Sequence, residues 1–301
     1  MEITLNLSGI FPPICTPFHL DGTLALVELK QNIAIYNRTA LAGYVVTGST
    51  GEAAMLSDQE RVLVWESVRE SCAPEKLLIA GTGVQSTRES IRLTQAAADI
   101  GYHAALVLTP CFFKAQMTRP ESQLDFYTSI AEASTIPILL YNFPQVTGVY
   151  LDPELMARIV EHPNIIAIKE SSADLDKIRK LAAVIPQHRP LLVGASPVFE
   201  TCLSIGATGG VLGLANILPG AACKIYNLHR TGDAERAKAV QQNIFEAAGI
   251  SSRFGVQGLK FAMDQMGYFG GASRRPLLPL DAQQKSAIEA ILRSIPPESR
   301  N

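Results

Sequence analysis

Residues 136–169 read IPILLYNFPQVTGVYLDPELMARIVEHPNIIAIK. Two short apolar runs, Ile136 to Tyr141 and Asn164 to Lys169, flank a polar stretch in which Asp152-Pro153-Glu154 places an acidic cap before a proline at a first helical position. Neither run alternates apolar with polar. Near-continuous apolarity is what a parallel strand covered on both faces requires, and a strand, a helix and a second strand in that order form a βαβ unit. Six further runs have the same character: Gly9 to Cys15, Gly43 to Thr47, Leu77 to Gly81, Ala104 to Thr109, Pro190 to Gly194 and Gly209 to Leu214. Between them, Ser57, Ser86 and Thr118 each stand three residues before a glutamate, the pattern of a capped helix start, and Ala96 to Ile100 runs out at Gly101.

Eight β/α units in series predict a (β/α)8 TIM barrel over residues 1–218, with a doubly wound open sheet as the alternative. Beyond Pro219 the pattern is helical only: AACKIYNLHRT, DAERAKAVQQNIFEAAG, a stretch near Leu259 to Met266, and Asp281 to Ser294. No Pro/Gly/Ser-rich linker precedes it, so residues 219–301 read as a C-terminal helical extension packed on the barrel.

Composition excludes several classes of function. With 47% hydrophobic and 18% charged residues the chain of 301 residues is too apolar to be disordered. A net charge of −2 without runs of like charge gives no basic surface for nucleic acid. The five cysteines are scattered with no CxxC, which fits neither a disulfide framework nor a zinc cluster. No leader pattern or apolar run of about 20 residues is present, so a cytoplasmic location is expected and no membrane contact. GxGxxG, GxxxxGK[ST], GxSxG and HExxH are absent, which leads us to expect no nucleotide cofactor and no metal. Gly206-Ala207-Thr208-Gly209-Gly210 reads either as a phosphate grip or as glycines that let backbone pass closely.

In a barrel of this kind the chemistry sits at the carboxyl ends of the strands. Three features fall there: Lys169 closing an apolar run, Tyr141 closing another, and the hydroxyl-rich segment Gly48-Ser49-Thr50-Gly51-Glu52 after the second. Taken singly, each has an ordinary explanation as a snorkelling lysine, a packed aromatic or a tight turn. Taken together they suggest more. An amine desolvated by apolar neighbours is neutral more often, hence nucleophilic toward a ketone. Converging backbone N–H groups beside two hydroxyls can hold a carboxylate. The set suggests a 2-oxo acid bound by its carboxylate with its ketone beside Lys169.

These segments, GSTGE at 48–52, YNFPQVTG at 141–148 and KES at 169–171, make the whole chain resemble the dihydrodipicolinate synthase and N-acetylneuraminate lyase family of class I pyruvate-dependent aldolases. The resemblance implies that Lys169 forms an imine with pyruvate, that Tyr141 moves protons, and that Ser49 and Thr50 hold the carboxylate and join the relay. It also implies that Gly48, Gly194 and Leu212 line the pyruvate pocket, with Val211 the choice if the alignment slips by one. No cofactor is implied, and the assembly implied is a homotetramer built from dimers. Two departures bear on the aldehyde partner. Lysine-pathway synthases carry an arginine where Val146 stands and a second relay tyrosine where Phe112 stands. The segment TPCFFKAQM at 109–117 and the tail from Arg253 to Gly271 look closer to the 4-hydroxy-2-oxoglutarate aldolase branch, which implies cleavage to pyruvate and glyoxylate. The alternatives are 4-hydroxy-tetrahydrodipicolinate synthase and a non-catalytic oxo-acid-binding relative. Lys114 and Arg119 are the cations that could replace the missing arginine.

Overall fold

The computed structural model describes residues 5–300. The strands are β1 (Gly9–Phe11), β2 (Gly43–Val46), β3 (Leu77–Gly81), β4 (Ala104–Leu108), β5 (Ile138–Asn142), β6 (Ile165–Glu170), β7 (Leu191–Val193) and β8 (Gly209–Val211). All pair in parallel in the order β1-β8-β7-β6-β5-β4-β3-β2. A parallel bridge between Pro13 and Val45, with Val45 N donating to Pro12 O at 3.0 Å, joins β1 to β2 and closes the ring. The architecture is a (β/α)8 barrel with C-terminal helices, and the open sheet is excluded by that closure.

The side chains sort into two layers by strand parity. Phe11, Val45, Ile79, Leu106, Leu139, Ala167, Leu192 and Val211 fill the barrel interior. Their strand neighbours, such as Tyr44, Val107, Leu140, Ile168 and Leu191, pack outward against the helices. Both faces are buried, which is why the runs are apolar throughout. Continuing the inward parity of Leu139 and Ala167 by one step toward the carboxyl ends brings Tyr141 and Lys169 to the mouth, directly opposite each other in the β5/β6 register.

Several element boundaries depart from expectation for local reasons. β1 stops at Phe11, because Pro12 and Pro13 have no N–H to continue a ladder. Ser57 forms a full capping box with Glu60, and Ser86 accepts from Glu89 N, as expected. Thr118 does not cap: Pro120 takes the first helical position, so the cap falls on Arg119 and the Thr118 hydroxyl donates to Ala115 O at 3.0 Å. The glycine run before and within β8 lies on the amino side of that strand, away from the mouth, and a Cβ on Gly209 would lie 2.5 Å from Gly9 O. Those glycines allow close passage of β1 and β8 rather than gripping phosphate.

The helix Pro219–Arg230 packs on β1 and on the helix Ala234–Asn243. The helix Ile250–Gln265 is interrupted at Gly255 (φ 70°, ψ −171°) and packs against Ala282–Ser294, which starts at an Asp281 capping box. Among the described residues no helix is long and apolar enough to cross a membrane.

Candidate active site

Lys169, the penultimate residue of β6, is only 4% exposed, with its Nζ 3.8 Å from the centre of the Tyr141 ring. Burial among apolar walls penalises the ammonium form and pulls the Lys169 pKa down to about 7. The structure therefore supplies the desolvated amine that the strand end suggests. Tyr141 stacks on Phe143 with ring centres 5.9 Å apart and brings its hydroxyl 3.5 Å from Ser49 Oγ. Burial pushes the phenol up to about 12, with the hydroxyls of Ser49 and Ser171 acting in the opposite direction. The group is thus a phenol near neutral pH, able to donate and to accept.

The segment 47–53 turns tightly between β2 and the helix Asp58–Ser71. Gly51 N and Ala53 N donate to Gly48 O at 3.0 and 3.3 Å, and Glu52 N to Ser49 O at 3.1 Å. The amides of Ser49 and Thr50 have no acceptor among the described residues and are available to a ligand. Thr47 and Glu52 adopt left-handed backbone conformations, with φ of 55° and 53°. Such conformations cost about 1–3 kcal/mol each and persist only where surrounding contacts hold them. The contacts are present: Thr47 Oγ1 accepts from the buried Trp65 Nε1 at 2.7 Å, and Gly51 O accepts from Thr16 Oγ1 at 2.7 Å.

Glu52 is held by residues that sequence reasoning did not assign to the site. Its Oε1 pairs with Lys260 Nζ, both side chains being 1% exposed, and its Oε2 accepts from Arg274 N at 2.9 Å. Arg274 forks onto Glu60 at 2.6 and 2.8 Å, and its guanidinium lies 4.3 Å from the Phe18 ring. Lys260 on the helix Ile250–Gln265 and Arg274 in the segment after it therefore clamp the Ser49-Thr50 turn. The available signal was a lysine in the otherwise apolar stretch Gly258 to Met263.

Gly194, just past β7, adjoins Ser171: a Cβ there would lie 2.1 Å from Ser171 Oγ, so only glycine fits beside that hydroxyl. Glu170, fully buried, accepts from Asn142 Nδ2 at 2.7 Å and from Ser172 N at 2.6 Å, which fixes the rims of β5 and β6. At β8 the side chain that faces the barrel interior is Val211, whereas the Leu212 side chain packs in the outer layer against Gly210. Only backbone of Leu212 can face the interior. Two cavities open at the mouth and share Ser49, Val146 and Val256. One, of about 500 Å³, runs from Tyr141 past Leu106, Leu108 and Gln85, and the other, of about 540 Å³, past Thr50, Ser171, Gly194 and Ser252. Val146 is 54% exposed, Phe112 is 77% exposed, and neither Lys114 nor Arg119 lines either cavity.

The profile of the dihydrodipicolinate synthetase family matches residues 6–295. The chain belongs to that family. A 4-hydroxy-tetrahydrodipicolinate synthase of Methanothrix thermoacetophila is 34% identical over 94% of this chain and 95% of its own length. A protein of Emericella nidulans named "Probable 4-hydroxy-2-oxoglutarate aldolase, mitochondrial" is 32% identical over 95% of this chain and 94% of its own length. The chloride-inhibited dihydrodipicolinate synthase of Acinetobacter baumannii, solved with pyruvate, superposes with a TM-score of 0.92 at 30% identity, over 96% of this chain and 99% of that one. As a member of the dihydrodipicolinate synthetase family the chain is a pyruvate-dependent carbon–carbon lyase that works through a lysine Schiff base.

Proposed function

We propose that Lys169 is the Schiff-base lysine and that the enzyme cleaves 4-hydroxy-2-oxoglutarate to pyruvate and glyoxylate. The observation that carries the first part is the buried Lys169 Nζ against the Tyr141 ring, with Ser49 and its free amide alongside. Neutral Lys169 attacks C2 of the oxo acid, water leaves, and the resulting iminium withdraws the C3–C4 bonding pair as the C4 hydroxyl gives up its proton to Tyr141. Tyr141 passes its own proton into the Ser49 or Thr50 hydroxyl, which releases one as it accepts, and the relay run in reverse returns a proton for the enamine. Glyoxylate departs, the enamine takes a proton at C3, and hydrolysis of the imine returns Lys169 and releases pyruvate. The carboxylate beside C2 is held by the amides and hydroxyls of Ser49 and Thr50, next to Gly48 and Gly194.

The choice of partner rests on what the first cavity offers. Its walls are apolar at Leu106, Leu108, Val84 and Val146, and the one carboxylate among the described residues that line it, Glu52, is already engaged by Lys260. Aspartate semialdehyde brings an ammonium group that would find no free acidic side chain there, whereas its carboxylate makes no distinction, because glyoxylate carries one as well. Glyoxylate carries no ammonium. A second reading, condensation with aspartate semialdehyde, is supported by the synthase name of the Methanothrix thermoacetophila relative at 34% identity, beside the aldolase name of the Emericella nidulans one at 32%. Side-by-side kinetics decide between them: 4-hydroxy-2-oxoglutarate cleavage exceeds aspartate semialdehyde condensation at least about tenfold in kcat/KM, and the reverse order replaces the aldolase reading by the synthase one. The exposed edge-to-face pair Phe112–Phe113, with ring centres 5.1 Å apart, supports association with further copies of the chain, consistent with a homotetramer, which light scattering tests.

A further inference from the structure

Besides Lys169, a second basic side chain at the mouth forms no ion pair among the described residues. Arg61, in the first turn of the helix Asp58–Ser71, lines the same cavity as Ser49, Tyr141 and Val146 and is only 6% exposed. Its Nη2 donates to Ala53 O at 2.6 Å, but its Nε is buried with no partner among the described residues. The nearby carboxylates are committed elsewhere: Asp58 to Arg92, Glu60 to Arg274 and Glu52 to Lys260. A guanidinium taken out of water without an anion is costly, and burial lowers its pKa, with the charge of Asp58 opposing the shift only in part. Among the described residues Arg61 is the only cation that lines this cavity, and a carboxylate is the group that would satisfy its charge.

We infer that Arg61 receives the distal carboxylate of the oxo-acid substrate, taking the place of the arginine that is absent at Val146. The site has moved from the rim of β5 to the helix after β2, which is why Lys114 and Arg119, both exposed, play no part. The inference rests on the reading that 4-hydroxy-2-oxoglutarate, a dicarboxylate, reacts at Lys169, and it adds the residue that receives the distal carboxylate.

The test compares 2-oxoglutarate with 2-oxopentanoate, which carries a methyl group in place of the distal carboxylate. Half-saturation of borohydride trapping is read for each, and calorimetric titration gives the same ratio without requiring an imine. Wild type should favour 2-oxoglutarate. In Arg61→Gln, which keeps a donor for Ala53 O, the ratio should swing against 2-oxoglutarate by about 10- to 100-fold, and Arg61→Lys should recover part of it. Equal weakening of both acids would assign Arg61 to packing alone. Indifference of wild type to the distal carboxylate would overturn the inference even if Arg61→Gln failed to fold. Absence of 4-hydroxy-2-oxoglutarate cleavage alongside the expected ratio would instead sink the substrate assignment and leave Arg61 as a carboxylate receptor.

Discussion

Lowering the pH from 8 to 6 carries Lys169 through its titration, and the structure sets the size of the effect. With a pKa of about 7, Lys169 is neutral in about half the molecules at pH 7, against about one in three thousand for an amine at the ordinary 10.5. The neutral fraction falls from about nine-tenths at pH 8 to about one-tenth at pH 6, so imine formation at subsaturating pyruvate should slow about tenfold across that interval. Above pH 8 the rate should level off. The assay is stopped-time borohydride trapping in matched ionic strength, with pyruvate far below half-saturation. An amine of ordinary basicity would instead gain tenfold per pH unit up to about pH 10, and such a profile would refute the claim that burial has made Lys169 a neutral nucleophile. The same titration has a stability consequence of fixed sign. Because the folded pKa lies below the unfolded one, the burial penalty is fully present below pH 7 and vanishes as the pH rises toward 10.5. Lys169→Met should therefore raise Tm, and by more at pH 6 than at pH 9.

Tyr141→Phe should slow turnover by about 10²- to 10⁴-fold, the usual contribution of a general acid–base group, while imine trapping persists; near-normal turnover would reduce Tyr141 to packing. Gly194→Ala should displace the Ser171 hydroxyl, since the new Cβ would come within 2.1 Å of it, costing about 1–3 kcal/mol of stability and weakening pyruvate trapping. Lys260→Met leaves Glu52 as an uncompensated buried carboxylate, so a loss of about 3–5 kcal/mol is expected in denaturant titration, together with a raised pyruvate half-saturation from loosening of the Ser49-Thr50 turn.

The barrel was legible because its strands are buried on two faces and so stand out as apolar runs between capped helices. What blurred was local. Prolines cut β1 short, and Pro120 moved a helix start past Thr118, because backbone chemistry overrides an apparent hydroxyl cap. The parity of β8 could not be fixed from a glycine-rich run, which carries no alternation to read; the register with Gly9 and Phe11 turns Val211 inward and Leu212 outward. Lys169, Tyr141 and Ser49 were legible as candidates because each sits at or just beyond a strand end, where topology alone delivers it to the mouth, whereas Gly194 came only from the family resemblance. Lys260 and Arg274 were not, since their bonds to Glu52 span more than 200 residues of sequence. Arg61 was hidden for the opposite reason. Flanked by Asp58 and Glu60 it reads as one more charge on a solvated first turn, until Arg92 and Arg274 are found to take those carboxylates.

The most direct measurement of the central claim is the site of the covalent adduct. Pyruvate and borohydride added to the intact protein, followed by peptide mass spectrometry, should place a single reduced adduct on Lys169, and Lys169→Ala should take up none while keeping its fold. An adduct on another lysine such as Lys260, or no adduct in a folded wild-type protein, would contradict the account.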